Sequence, residues 1–370
     1  MISLSKLLSG TATVSKKLTY EDDDSFIPEK LREFSSKLTP IVVWNITNRC
    51  NLKCVHCYAK ANSIQRELPT EDCKRIIDNL ARSAIPLIIF SGGEPLMRED
   101  IFELVEYAKK RKIKSVLSTN GTLISEDIAD DLKLFEYVGI SLDGVRIHDK
   151  FRGVEGAFKS AVKGLKIANE VVLTGIRFTL TRYNFLELPD LIKIAREMEI
   201  PRFCVYHLVP SGNATFKDDV DNKTRRRAID YLIRVAEREE EMEILTVDNP
   251  SDGIYLYLQK KDDDILEFLK YRGGDSSGIR LACVDCDGDL HPNQFWMDYK
   301  AGNLLEREFG DIWSNDPLFK MLREKEKYLR DRCGDCKFKR WCGGFRVRAL
   351  RNGDLWGWDP SCYIHPSSLQ

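Results

Sequence analysis

Cys50, Cys54 and Cys57 fall in the run TNRCNLKCVHCYAKA at the spacing Cys-x3-Cys-x2-Cys, directly after the apolar segment IVVWNI. Three thiolates this close can hold three corners of one iron–sulfur cluster, and no fourth cysteine is near enough in sequence to close it. An iron left without a protein ligand can bind a small molecule, so the spacing points to chemistry at the metal rather than to a closed electron-transfer centre. Structural zinc sites come as paired Cys-x2-Cys units that complete a tetrahedron, and this run has no second pair.

Some forty residues on, FSGGEP occupies positions 90–95 after the apolar run PLII. Gly92 and Gly93 suit a loop whose backbone approaches a ligand closely. The triplet and GGEP, in this order and at this distance, resemble the radical S-adenosylmethionine (radical SAM) superfamily. The resemblance implies that SAM chelates the open iron. It also implies that Gly92, Gly93 and Glu94 lie along its methionine end and receive the ammonium.

A second cysteine group follows far downstream. Cys333, Cys336 and Cys342 have the spacing Cys-x2-Cys-x5-Cys in RCGDCKFKRWCGG, and Cys362 stands in DPSCY. Four thiolates can close a complete 4Fe–4S cluster, or bind one zinc. The group resembles the SPASM and twitch extensions of radical SAM enzymes, which implies an auxiliary cluster. The full SPASM pattern is absent: Asn293, five residues past Gly288, and Arg346, four past Cys342, stand where it has cysteines. One auxiliary cluster, and two 4Fe–4S clusters in all, is the expectation. Cys283 and Cys286 form a further Cys-x2-Cys pair whose spacing leaves two roles open, an auxiliary ligand or free thiols. Cys73, in a helical pattern, and Cys204, in a strand, read as small buried hydrophobes.

The elements that must position these residues alternate. Candidate strands are 41–47, 87–91, 114–119, 137–143, 173–181 and 202–207, each followed by a helical pattern such as TEDCKRIIDNLARS, with Thr70 expected as N-cap. Alternating strands and helices imply an α/β fold with a parallel sheet and outer helices. Ile176, Phe178 and Leu180 share one face of their strand and Arg177, Thr179 and Thr181 the other. Val138, Ile140 and Leu142 likewise oppose Gly139, Ser141 and Asp143, and Phe203 and Val205 oppose Arg202, Cys204 and Tyr206. Polar inner faces predict a wet cavity, and the pattern is similar to the six-unit partial (β/α) barrel of radical SAM enzymes. Ligands sit at the C-terminal strand ends of such barrels. The resemblance therefore adds Ser118, Asn120, Ser141 and Asp143 as SAM contacts, although STNG and LDG also read as caps or turns. The expected division is a lead-in over 1–39, the barrel over 40–245 and a cysteine-rich iron–sulfur domain over 246–370.

Bulk composition agrees. The 370 residues carry a net charge of −1 and are 43% hydrophobic, enough for a full core and without a global drive toward nucleic acid or anionic membrane. No apolar run approaches membrane-spanning length, and the N-terminus is too polar for a secretory signal. Eleven cysteines grouped at short spacings without such a signal argue for metal in a reducing, cytoplasmic setting.

Longer stretches narrow the resemblance. VVWNITNRCNLKCVHCYAKA, KFRGVEGAF, GIRFTLTRYN, IPRFCVYHLVPSG, LTVDNPSDGIYLYL, HPNQFW and CGGFRVRALRNGDLW, spread over nearly the whole chain, resemble the radical SAM enzymes of siroheme-dependent haem and haem d1 biosynthesis. This implies a small-molecule tetrapyrrole substrate, a 5′-deoxyadenosyl radical, a low-potential donor (flavodoxin or ferredoxin), and removal of the two acetate side chains of 12,18-didecarboxysiroheme to give Fe-coproporphyrin III. The neighbouring reactions, haem d1 propionate removal and Fe-coproporphyrin decarboxylation, stand beside it. For such a ligand Arg177, Arg202, Arg152, Arg346 and Arg348 are candidate carboxylate partners. His207 and His291 are candidate iron ligands, and Phe295 and Trp296 stack on the ring or pack the core. A SPASM peptide maturase is the alternative within enzymes, weakened by a lead-in too short for a peptide-binding module. A haem carrier without turnover would not need an open iron.

Overall fold

The computed structural model describes residues 1–18, 40–63 and 67–368; the charged run EDDDSFIPEK at 21–30 lies outside them. The strands are β1 (Ile2–Ser3), β2 (Ile41–Thr47), β3 (Leu87–Gly92), β4 (Lys114–Thr119), β5 (Tyr137–Ser141), β6 (Thr174–Leu180), β7 (Arg202–His207), β8 (Glu243–Val247), β9 (Leu281–Val284), β10 (Asp289–His291) and β11 (Gly302–Asn303). Among the described residues they form one sheet in the order β1-β8-β7-β6-β5-β4-β3-β2-β9-β10-β11. Each neighbouring pair from β2 to β8 is parallel. The helices Thr70–Arg82, Ile101–Lys110, Ala157–Val171, Leu188–Glu197 and Asn222–Ala236 fall between the strands in the chain.

The alternation in the strands decides which face meets the helices. Trp44, Ile88, Phe90, Leu117, Val138, Ile140, Ile176, Phe178, Phe203 and Val205 join one continuous buried core with helix residues such as Ile76, Leu104, Leu165 and Leu191. Arg177, Thr179, Cys204 and Tyr206 stand on the other face, in register across β6 and β7. The partial (β/α) barrel expected from the sequence is present.

Three features differ from the sequence expectation. A seventh parallel strand, β8, follows the expected six, and residue 245, the expected end of the barrel, falls inside it. EILTV is short and polar at Glu243, and the charged run before it reads as more helix; Glu243 is tolerated inside because Arg202 pairs with it at 2.6 Å. The cysteine-rich region continues the same sheet, with β9 parallel to the outer edge of β2 and β10 and β11 antiparallel beyond it. Residues 1–18 are also more than a lead-in. β1 pairs antiparallel with β8, and Leu4 and Val14 are fully buried. At the first barrel helix Pro69 holds the cap position, and the Thr70 hydroxyl instead donates to Asp100 at 2.6 Å.

Candidate active site

The cysteine triplet lies in the loop that leaves the C-terminal end of β2. Asn62 fastens this loop by accepting from Cys50 N at 2.9 Å and donating to Cys50 O at 2.9 Å. Lys53 N and Val55 N donate to Arg152 O and Phe151 O, and Asn213 N donates to Cys57 O. Gly212, at φ +64°, makes that last contact possible, since a Cβ there would stand 2.2 Å from Cys57 O. Donors converge on the sulfurs: Leu52 N on Cys50 Sγ at 3.4 Å, Ala61 N on Cys57 Sγ at 3.4 Å, and Arg152 Nη1 on Cys54 Sγ at 3.6 Å. Burial pushes the Cys50 thiol up to about 12. N–H groups aimed at sulfur suit thiolates that carry the negative charge of a cluster, and the donor set fits one.

GGEP packs along this loop. Gly93 N and Glu94 N donate to Thr47 O and Arg49 O, each at 2.8 Å. A Cβ on Gly93 would lie 2.1 Å from Arg49 O, and one on Gly92, at φ +127°, 2.4 Å from Thr47 O. The two glycines thus permit close contact between two chain segments. Glu94 is fully buried. Its carboxylate accepts from Thr119 Oγ1 at 2.7 Å, Asn120 N at 2.8 Å and Leu96 N at 3.1 Å. It holds the loop after β4 in place, which leaves little of it for an ammonium. Asn120 in turn donates to Asn51 at 2.9 Å beside the triplet.

Asp143 is also committed. The sequence suggests a SAM contact, yet the side chain is fully buried, accepts from Thr179 N at 2.7 Å and forms a close ion pair with Arg152. Arg152, expected among the substrate cations, therefore links Asp143 to Cys54. Nothing local in the sequence announces that contact. His148 Nδ1 accepts from Asp143 N at 3.1 Å, and burial lowers its pKa to about 4. Ser141, half-buried, stands in register with Arg177, which donates to Ser118. Nearby, Tyr58 bonds Ser91 Oγ at 2.9 Å and Asn45 Oδ1 at 3.1 Å. Phe295 meets the Tyr58 ring edge-on at 5.4 Å, while Trp296 packs in the core of the C-terminal region.

Cys333, Cys336, Cys342 and Cys362 line a single cavity, together with Arg332, Phe338, Trp358 and Asp359. Backbone N–H groups of Phe338 and Gly344 point at Cys336 and Cys342, each at 3.4 Å, and Arg346 Nη2 at Cys333 at 3.7 Å. Four thiols around one cavity fit a 4Fe–4S cluster. Cys283 and Cys286 are not among the lining residues. Cys283 is fully buried on β9, opposite Val43.

The remaining substrate candidates are placed otherwise than expected. Arg202 begins β7, at the N-terminal end of the barrel, and is neutralised by Glu243. His207 is buried between Asp252 at 2.7 Å and Arg225 at 2.8 Å, on the Phe203 and Val205 face. His291 has both ring nitrogens engaged, with Tyr299 O at 2.8 Å and Asp285 at 3.1 Å. Neither imidazole is free to ligate iron. Arg346 is fully buried against Leu355 O and Gly357 O, and Arg348 pairs with Asp359 at 3.1 Å.

The comparisons agree with this geometry. The radical SAM superfamily model matches residues 44–195, and the iron–sulfur cluster-binding SPASM domain matches 277–337. Cys342 and Cys362 lie beyond the latter match yet share the cavity with Cys333 and Cys336. The chain is 42% identical to the Fe-coproporphyrin III synthase of Methanosarcina barkeri over 98% of both chains. It is 35% identical to the pre-heme d1 synthase of Dinoroseobacter shibae, over 94% of this chain and 92% of that one. The SAM-bound crystal structure of Streptococcus suis SuiB shares the fold at a TM-score of 0.73 and 22% identity, covering 90% of this chain and 80% of that one. Radical SAM and SPASM domains together carry two 4Fe–4S clusters and SAM. The chain belongs to the radical SAM superfamily, in the group that bears a SPASM iron–sulfur domain.

Proposed function

We propose that this chain removes the two acetate side chains of 12,18-didecarboxysiroheme and so produces Fe-coproporphyrin III. The observation that carries the reading is 42% identity, over 98% of both chains, to an Fe-coproporphyrin III synthase, joined to two separate cysteine groups whose surroundings fit clusters. In this reading Cys50, Cys54 and Cys57 hold the cluster that binds SAM, and Cys333, Cys336, Cys342 and Cys362 hold the auxiliary one. SAM held at the first of these would supply radical hydrogen-abstraction chemistry at an unactivated carbon.

The chain's own residues do the rest. Arg152 and the surrounding N–H groups stabilise charge on the triplet. Glu94 fixes the loop after β4 against it. Arg202, Glu243 and Tyr137 close the far end of the barrel, so substrate enters from the C-terminal ends of the strands. A low-potential flavodoxin or ferredoxin serves as donor. The likeness to a pre-heme d1 synthase favours propionate removal as the second reading.

The test is anaerobic incubation of the reconstituted protein with didecarboxysiroheme, SAM and a reductant, followed by mass analysis of the tetrapyrrole. The expected product has lost two whole two-carbon acetate side chains, with an aromatic porphyrin ring in place of the reduced macrocycle. An unchanged tetrapyrrole alongside 5′-deoxyadenosine would reject this substrate.

A further inference from the structure

We propose that Arg177 receives a side-chain carboxylate of the tetrapyrrole inside the barrel. This rests on the tetrapyrrole reading and deepens it by naming a recognition residue.

Most interior guanidinium groups meet a carboxylate. Arg98, Arg152, Arg202, Arg225 and Arg348 each pair with a carboxylate, from Asp100, Asp143, Glu243, Asp219 and Asp359. Arg177 forms no such pair among the described residues. Nη1 donates to Ser118 Oγ, and Nε is buried without a hydrogen-bond partner. Its guanidinium lies over the Tyr206 ring at 5.4 Å, and Tyr137, Tyr58 and Cys204 are within electrostatic reach. Asp248, just past β8, is within electrostatic reach but not hydrogen-bonded to it. Arg346 also lacks a carboxylate, but its guanidinium is spent on Leu355 O, Gly357 O and Cys333. A part-buried cation without a counter-ion is costly, so Arg177, bonded only to a hydroxyl, is left with donors for an anion.

Its placement suits a ligand. Arg177 sits mid-strand on β6, in register with Ser141 on one side and Cys204 on the other. Gly139 makes room for it, since a Cβ there would stand 2.6 Å from Nε. Below it the Arg202–Glu243 pair fills the end of the barrel; above it lie the triplet and GGEP loops. A planar guanidinium in that position is shaped for a carboxylate. SAM also carries a carboxylate, so the experiment must separate the two sources.

Fe-coproporphyrin III and its tetramethyl ester are titrated into the anaerobic holoprotein by absorbance, and SAM binding is measured by equilibrium dialysis, for wild type, Arg177→Gln and Arg177→Lys. Wild type should prefer the acid to the ester. Arg177→Gln should weaken acid binding roughly 10- to 100-fold, leaving ester and SAM within about twofold. Arg177→Lys should keep part of the acid preference. If Arg177→Gln does not assemble its clusters, the acid-to-ester ratio of Arg177→Lys carries the test, and a ratio equal to wild type overturns the proposal. An unchanged preference in Arg177→Gln overturns it too, as does a loss of SAM affinity that matches the loss of porphyrin, because SAM's carboxylate is then the one held. Wild type that binds neither porphyrin rejects the tetrapyrrole reading itself.

Discussion

Arg152 Nη1 stands 3.6 Å from Cys54 Sγ, and the other amino nitrogen of the same guanidinium is gripped by the fully buried Asp143. Each interaction explains the other. A buried guanidinium needs a counter-ion, and Asp143 supplies it while fixing the direction in which the remaining N–H groups point. A cationic donor fixed beside a cluster thiolate favours the more negative, reduced cluster.

Removing that charge should therefore lower the midpoint potential of the SAM-binding cluster. Arg152→Gln is expected to lower it by on the order of 50–100 mV, from a unit charge a few ångströms away at an effective dielectric near 20. Arg152→Lys should recover part of the shift. A redox titration followed by electron paramagnetic resonance, with the auxiliary cluster as internal reference, reads both. Equal potentials in all three proteins would mean that the guanidinium is only packing.

At Gly93 the prediction is loss of metal. Its missing Cβ would lie 2.1 Å from Arg49 O, one residue before Cys50. Gly93→Ala must push the cysteine loop aside, so iron should fall from about eight to about four per chain. If the protein keeps a full iron complement and loses only SAM affinity, the glycine faces ligand after all.

His148 sets a pH dependence. It accepts from Asp143 N and is held neutral by burial, with a pKa lowered to about 4 against 6.5 in an open chain. The unfolded chain thus takes up the proton first. Stability is full above pH 6.5 and declines as pH falls from there toward 4. Between pH 7 and pH 5 the loss from this group should be on the order of 1–2 kcal/mol. Comparing His148→Gln with wild type by thermal unfolding at both pH values isolates it. The variant should be less sensitive to acid, and a parallel decline would assign the effect to other groups.

The sequence made some of this legible and hid the rest for physical reasons. The triplet, GGEP and the auxiliary cysteines are local patterns, and β6 shows its two faces through simple alternation of Ile176, Phe178 and Leu180 with Arg177 and Thr179. Partners brought together by folding leave no such mark. Asp143 reads as a SAM contact at a strand end, and its pairing with Arg152 is invisible in the sequence. His207 looks like a ligand until Asp252, 45 residues on, takes its Nε2. β8 was concealed because Glu243 is tolerated inside only through Arg202, itself expected to meet substrate. Charged residues on short strands are read correctly only with their counter-ions.

Cys362 offers the last test, because it ties the tail to both the auxiliary site and the barrel. It lines the same cavity as Cys333, Cys336 and Cys342, twenty residues past the last of them. The tail around it is fastened to the segments that follow β7 and β8 and to the helix Asn222–Ala236: Asn249 Nδ2 donates to Ser361 O at 3.4 Å, Asn222 Nδ2 to Pro360 O at 3.0 Å, and Arg348 to Leu208 O and Asp359. A fourth thiolate leaves no iron open, so this cluster conducts electrons or shapes the pocket and does not bind SAM. Cys362→Ala should lose or degrade the auxiliary cluster, taking iron from about eight toward about four, while the triplet still supports reductive SAM cleavage. Product formation from the tetrapyrrole should fall much further than 5′-deoxyadenosine formation. Cys286→Ala is the control, since Cys286 is not among the residues lining the cavity, and should keep both iron and product. A Cys362→Ala protein with full iron and full product, beside a Cys286→Ala protein that loses them, would transfer the fourth ligand to the Cys283–Cys286 pair.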